Sequence, residues 1–265
     1  MVNLKKYNDV FKLFVIFLTF YSIQSCSPST YRVTKVVAKQ LPVSQTAETN
    51  NNTAITTTYE NYISPYRTRI NKDLDSVLAY CPLTLDKKAT NLQSPIGNMM
   101  ADVVLAYGNK VFQKRENKNI SVCILNNGGI RAILPKGNVT ARNAFEIMPF
   151  ENSLVVIALR GVQIRELIAY FIKEQQAHPL AGLTFQIDKN KQATTILIQG
   201  KELMDDNLYY VGTNDYLANG GDNMSFFSKG EHTYDLNYKL RNILIDYFTA
   251  VDTVSATPDN RILVH

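Results

Sequence analysis

Side chains able to hold a small organic ligand stand at the ends of apolar runs in this chain. Val122–Leu125 breaks into Asn126-Asn127-Gly128-Gly129, with Arg131 following Ile130. Met148-Pro149-Phe150 leads into a second apolar run, Leu154–Leu159. A third, around Tyr209–Val211, runs into a polar segment carrying Tyr216, then Gly220-Gly221-Asp222. A strand that breaks into Asn-Gly-Gly leaves backbone amides uncovered, and Gly128 and Gly129 would allow positive φ and close approach of a ligand. The planar guanidinium of Arg131 suits a bidentate grip on carboxylate or phosphate, and with Asn126 it could hold an anion. A flat ligand could stack between Phe150 and Tyr216, a contact worth about 1–3 kcal/mol per base. Asp222 could accept hydrogen bonds from a diol. The same pattern also fits a bland alternative: two tight turns, two core aromatics and an arginine in a surface ion pair.

Other chemistries find less support. His178, His232 and His265 are scattered, with no His-x-x-x-His pair and no carboxylates at ligand spacing, so no metal centre is expected in this chain. His265 is the last residue and His178 precedes a proline, which reads as two exposed loops. There is no Gly-x-Ser-x-Gly elbow and no Walker loop. Net charge is +5 with 19% charged residues spread along the chain, and the basic run Lys110–Lys118 reads as a solvated connection. Nucleic acid is therefore not expected as a partner. Cys81 and Cys123 could pair in an oxidising compartment, but Cys123 lies inside an apolar run and reads equally well as a buried free thiol. No Cys-x-x-Cys occurs.

The elements that must position these groups follow from periodicity. Ile63, Tyr66, Ile70, Leu74, Val77 and Leu78 recur at helical spacing and predict an amphipathic helix over 60–79, stopped by Pro82 and followed by a short strand at Leu83–Leu85. Ser94 and Pro95 suit the N-cap and first position of a second helix. Its core face is Met99, Met100, Val103, Val104 and Tyr107, with an end at Gly108-Asn109. Gly97 would let another backbone come close. Gly161–Lys173 predicts a helix, Leu183–Ile187 and Thr194–Ile198 predict strands, Asp235–Val251 a closing helix and Ile262–Val264 a last strand. This irregular alternation implies an α+β fold, a mixed sheet with flanking helices.

The N-terminus carries Lys5, Lys6 and Lys12 ahead of the apolar Leu13–Tyr21, and then Ile23, Ser25 and Cys26. That is the layout of a secretory signal, too short for a comfortable span. Ile23 and Ser25 before Cys26 resemble a bacterial lipobox, with Cys26 as the lipidated residue; an ordinary signal peptide is the alternative. Residues 1–25 hold three Lys and one Asp, so their removal takes the charge from +5 to +3. Residues 26–58, rich in Ser, Thr, Asn and Gln, read as a flexible tether with one strand around Tyr31–Val37, and 59–265 as the folded domain.

Three ordered blocks resemble the C-terminal, substrate-binding domain of the 5'-nucleotidase and UDP-sugar hydrolase family. Ser94-Pro95-Ile96-Gly97-Asn98 with Ala101-Asp102 is similar to that family's Ser-Pro-Leu-Gly-Asn helix start. Asn126–Arg131 with Met148-Pro149-Phe150 is similar to its Asn-x-Gly-Gly-Ile-Arg and Leu-Pro-Phe segments, and Thr213–Asp222 to its Phe-Leu-Ala-x-Gly-Gly-Asp signature. The resemblance implies that Phe150 and Tyr216 sandwich a base, that Asp222 binds the ribose hydroxyls, and that Asn126 and Arg131 contact phosphate or the nucleoside's polar edge. Tyr216 stands where Phe is usual. The family's metallophosphatase domain has no counterpart in this sequence, so divalent metals are expected only in a separately encoded partner. An arginine that the family often places before the Ser-Pro block is replaced by Lys87-Lys88, of which Lys88 is the expected substitute. The resulting expectation is the nucleotide-recognition half of a split 5'-nucleotidase, an exported lipoprotein held at the membrane by Cys26 and facing the periplasm. A stand-alone nucleoside- or nucleotide-binding lipoprotein without a catalytic role is the alternative.

Overall fold

The computed structural model describes residues 8, 11–18, 53–254, 256 and 259–265; the expected lipid-attachment residue Cys26 and the strand expected over Tyr31–Val37 lie outside them. The chain forms two compact units, Met1–Thr58 and Tyr59–His265. In the first, residues 11–18 and 53–58 are helical. Among the described residues no helix is long and apolar enough to cross a membrane.

Helix α1 (Thr53–Leu74) starts inside the expected tether and stops before Val77 and Leu78. Its apolar residues Tyr62, Ile63, Tyr66 and Ile70 are exposed and do not join the core. Val77–Cys81 is strand β1 instead, paired antiparallel with β3 (Gly137–Thr140). A short apolar run fits either period, and here the available pairing partner decides. Leu85 makes only an isolated bridge, to Leu134.

The second helix, α2 (Pro95–Glu116), opens as its sequence demands. Pro95 occupies the first turn and the Ser94 hydroxyl accepts from the Gly97 N–H at 3.2 Å. It does not stop at Gly108. A Cβ there would come within 2.6 Å of Leu154 Cδ2, so this glycine marks a close helix–sheet contact and not an end. The helix continues to a left-handed Asn117, which makes most of the basic run from Lys110 helical and not a solvated connection.

The site is organised by a five-stranded mixed sheet in the order β10 (His232–Lys239), β4 (Ser153–Arg160), β9 (Leu208–Asn214), β2 (Val122–Ile124), β5 (Leu180–Ala181). β2 and β9 are parallel; every other pairing in this sheet is antiparallel. Ser153–Leu159 is buried throughout because both faces of β4 are covered. Leu154 and Val156 face the core beneath α2, α3 (Ala141–Ile147) and α6 (Leu240–Ala250). Ile157 and Leu159 face the second core, shared with α4 (Gly161–Glu174) and a second sheet. That sheet runs β11 (Ile262–Val264), β6 (Leu183–Ile187), β7 (Ala193–Ile198), β8 (Lys201–Glu202). The closing helix expected from Asp235 is replaced up to Lys239 by β10, whose His232–Asp235 stretch pairs along β4. Cys81 and Cys123 are both buried and free. The architecture is α+β, as the alternation of elements implies.

Candidate functional site

The sheet topology brings the polar blocks together. β2 and β9 are adjacent and parallel, with Val122 opposite Val211 and Cys123 opposite Gly212, so the loops that follow them leave from the same edge. β4 runs antiparallel to β9 with Leu154 opposite Asn214, which puts the chain just before β4 at that edge too. There a cavity of about 290 Å3 is lined by Asn126, Gly128, Arg131, Phe150, Asn152, Tyr216 and Asp222. Phe150 and Tyr216 are 37% and 46% exposed, so neither is a core aromatic.

Each loop is held by a specific contact. Asn126, buried beside β2, accepts through Oδ1 from Nδ2 of Asn214 at 2.9 Å. Asn214 also caps the short helix α5 (Asp215–Ala218), its Oδ1 accepting from the Leu217 N–H at 2.8 Å. One buried amide pair thus ties the two loops. Asn127–Gly129 is a 3₁₀ turn in which neither Gly128 nor Gly129 takes the positive φ expected of them. Gly129 is required for another reason: a Cβ there would sit 2.8 Å from Asn126 Oδ1, displacing the linking amide. In the other loop, Gly220 does have φ +90°, and a side chain on Gly221 would collide with the Tyr216 ring.

Arg131 is exposed, with its guanidinium carbon 5.1 Å from the Phe150 ring centroid. The Lys87 ammonium donates to the carbonyls of Asn127 at 3.0 Å and Ile130 at 2.9 Å. Burial, and then the charge of Arg131, pull its pKa below the ordinary lysine value. Lys87, and not the expected Lys88, is therefore the cation built into this loop; Lys88 gives its backbone N–H to Asp86. Two cations beside one loop favour an anion.

On the other wall, the Tyr216 hydroxyl donates to Asp222 Oδ1 at 2.8 Å and accepts from the Asp222 N–H at 3.3 Å. The phenol pKa is raised, chiefly by that bond to the carboxylate. Asp222 sits in the left-handed region at φ 51°, steadied through its carbonyl by the Tyr170 hydroxyl at 2.9 Å. The hydroxyl that Tyr adds over Phe thus orients the carboxylate.

Several contributors were not legible in the sequence. Asn152 lines the cavity from the position just before β4. Arg241, on α6, lies 4.2 Å from the Phe145 ring centroid, donates to the carbonyls of Met148 and Pro149, and pairs with Glu151, so it brackets Phe150. His178, expected in an exposed loop, is only 3% exposed. The Ala177–Ala181 segment that carries it is buried against the end of β2, which the proline after His178 could not signal. Among the described residues no three His, Cys, Asp or Glu stand close enough to hold a metal.

The family profile described as 5'-nucleotidase, C-terminal domain, matches residues 80–229. The trifunctional nucleotide phosphoesterase protein YfkN of Bacillus subtilis is 29% identical over 178 residues, covering 61% of this chain and 12% of that protein. The NAD 5'-nucleotidase of Haemophilus influenzae is 30% identical over 132 residues, 43% of this chain and 22% of that protein. The chain therefore matches only a minor part of the length of these relatives. The crystal structure of a 5'-nucleotidase precursor from Thermus thermophilus shares the fold, with a TM-score of 0.63 at 23% identity over 77% of this chain and 42% of the other.

Proposed function

The chain belongs to the 5'-nucleotidase C-terminal domain family, and on that footing we propose that it is the nucleotide-recognition half of a split 5'-nucleotidase. The observation that carries this reading is the convergence of two half-exposed aromatics, a carboxylate and a guanidinium on one cavity, with the Lys87 ammonium bonded to the loop that carries Arg131. A base enters between Phe150 and Tyr216, where its flat faces gain from stacking. Asp222, held by the Tyr216 hydroxyl, accepts from the ribose diol. Asn152 offers an amide at the cavity wall, and Arg131 with Lys87 supplies positive charge for the phosphate end. The cavity lining offers one carboxylate and no imidazole, so these residues bind and orient. A separately encoded metallophosphatase would hold the divalent metals and supply the hydrolytic chemistry, while the residues of this chain orient the nucleotide. Lipidation at Cys26 would tether the chain at an exported membrane face, facing the periplasm.

The test is a calorimetric titration of the full chain with AMP and with adenosine, both in excess chelator, alongside Tyr216→Ala. Binding that survives the chelator and weakens about 5- to 150-fold in the variant is expected, the range that about 1–3 kcal/mol of stacking implies. Absence of binding by either ligand sinks the reading. Binding without any rise in AMP hydrolysis when an exported metallophosphatase is added favours the stand-alone binding protein.

A further inference from the structure

Resting on that reading and deepening it, we propose that His178 is a positioning residue: its unprotonated Nδ1 holds the Asn126–Arg131 loop in the form that lines the cavity, and protonation releases the loop and the ligand. β5 runs antiparallel to β2 with Ile124 opposite Leu180, and the Leu125 N–H donates to the Pro179 carbonyl at 3.0 Å. One residue further back, His178 faces Asn127, whose N–H donates to Nδ1 at 3.3 Å. Only a lone pair at Nδ1 can accept that bond, so the imidazole proton must sit on Nε2. Nε2 is buried and has no hydrogen-bond partner among the described residues, so the polar contact that holds the ring is the one at Nδ1.

Protonation would set an N–H at Nδ1 against the Asn127 N–H and break that bond, with the Leu125 carbonyl as the acceptor facing the ring. It would also place a cation in a site packed by Tyr170 and Phe171, whose ring centroids each lie 5.6 Å from the imidazole. The loop's other ties include the Asn126–Asn214 amide pair and the Lys87 ammonium on the Asn127 and Ile130 carbonyls, and neither reaches the Asn127 N–H. The turn is closed by the Gly129 N–H on the Asn126 carbonyl, and Lys87 holds the Asn127 carbonyl. A shift of Asn127 therefore moves Asn126 and Gly128, both of which line the cavity. The charged groups facing His178 are the carboxylates of Asp222 and Glu174, which with the Leu125 carbonyl favour the cation. Burial opposes them and prevails, lowering the imidazole pKa. The sign follows: the loop is held at neutral pH and released as pH falls below the ordinary histidine value of about 6.5.

The experiment uses the full chain and adenosine, because the phosphate of AMP titrates near pH 6 and would confuse the profile. The Asn127 amide is followed by 15N-edited NMR from pH 7.5 to 4.5, and adenosine affinity is measured over the same range. In the wild type the amide signal should shift with a single midpoint below about 6.5. Affinity should fall about tenfold per pH unit below that midpoint, the limiting slope for loss of one proton-free form. His178→Asn places a non-titrating amide oxygen where Nδ1 stood. It should bind at pH 7.5 within a few-fold of wild type and lose the pH-dependent fall, which a merely structural role for His178 would not produce. An Asn127 amide that does not titrate in the wild type overturns the proposal without any variant, as does an affinity profile identical in wild type and His178→Asn. If the wild type binds neither adenosine nor AMP at pH 7.5, the recognition reading fails. Titration of the Asn127 amide then still decides whether His178 holds the loop.

Discussion

The bond between Asn126 and Asn214 should be the energetic link between the two halves of the site, and a double-mutant cycle measures it. Asn214 is fully buried and Asn126 nearly so, and the amide–amide bond spans 2.9 Å. Asn214→Ala removes the cap on α5, worth about 1 kcal/mol. It also leaves the buried Asn126 oxygen unsatisfied, at about 1–3 kcal/mol. The total is about 2–4 kcal/mol, and at about 2–4 °C per kcal/mol for a domain of this size the melting temperature should fall by about 4–16 °C. Asn126→Ala orphans the Asn214 amide in the same way and costs about 1–3 kcal/mol. In the double variant neither orphan remains, so the combined loss should be smaller than the sum of the singles by about 1–2 kcal/mol, within the range seen for contacting residues. Urea unfolding of the four proteins provides the free energies, and adenosine titration of each shows whether the link also sets affinity. Additivity within about 0.3–0.5 kcal/mol would refute the reasoning, because it would mean that the loops are held independently.

Two further outcomes follow from side chains away from the ligand. Arg241→Met should destabilise the domain by about 2 kcal/mol, the scale of charged hydrogen bonds to the Met148 and Pro149 carbonyls. It should also weaken adenosine binding by freeing the Phe150 segment; unchanged affinity would show that Phe150 is held by other means. Little is expected from Glu151, whose side chain is 68% exposed. Burial, aided by Asp102, pushes the Cys123 thiol far above its ordinary value. A raised pKa means that stability is complete below the unfolded thiol's value of about 8.5 and is lost as pH rises beyond it. Between pH 7.5 and 9.5 the wild type should therefore lose about 1.4 kcal/mol more than Cys123→Ala in urea unfolding. Cys81, also raised by burial, is common to both proteins and cancels.

Much of the site was legible because the chemistry lies in local blocks. A strand that ends in Asn-Asn-Gly-Gly, a Pro-Phe pair before a buried strand and a Gly-Gly-Asp turn each announce themselves within a few residues. The capped start of α2 was equally plain, since Ser94 and Pro95 act on the turn that follows them. Gly108 misled because a glycine that ends a helix and one that admits a neighbouring side chain look the same along the chain. Only Leu154, folded against it, distinguishes the two. Gly129 was identified for the wrong reason in the same way: its constraint is the Asn126 side chain across the turn, not its own φ.

The sequence by itself determined the α+β class, the family resemblance and the residues that line the cavity except Asn152, because apolar periodicity, caps and motif blocks are properties of neighbours along the chain. Tertiary structure alone decided that Lys87 rather than Lys88 meets the loop, that His178 lies buried under Asn127, and that Arg241 grips the segment around Phe150. These contacts span 40, 51 and 93 residues. No local pattern encodes them, because each exists only once distant segments are folded together, as the pairing of β5 with β2 does for His178 and Asn127.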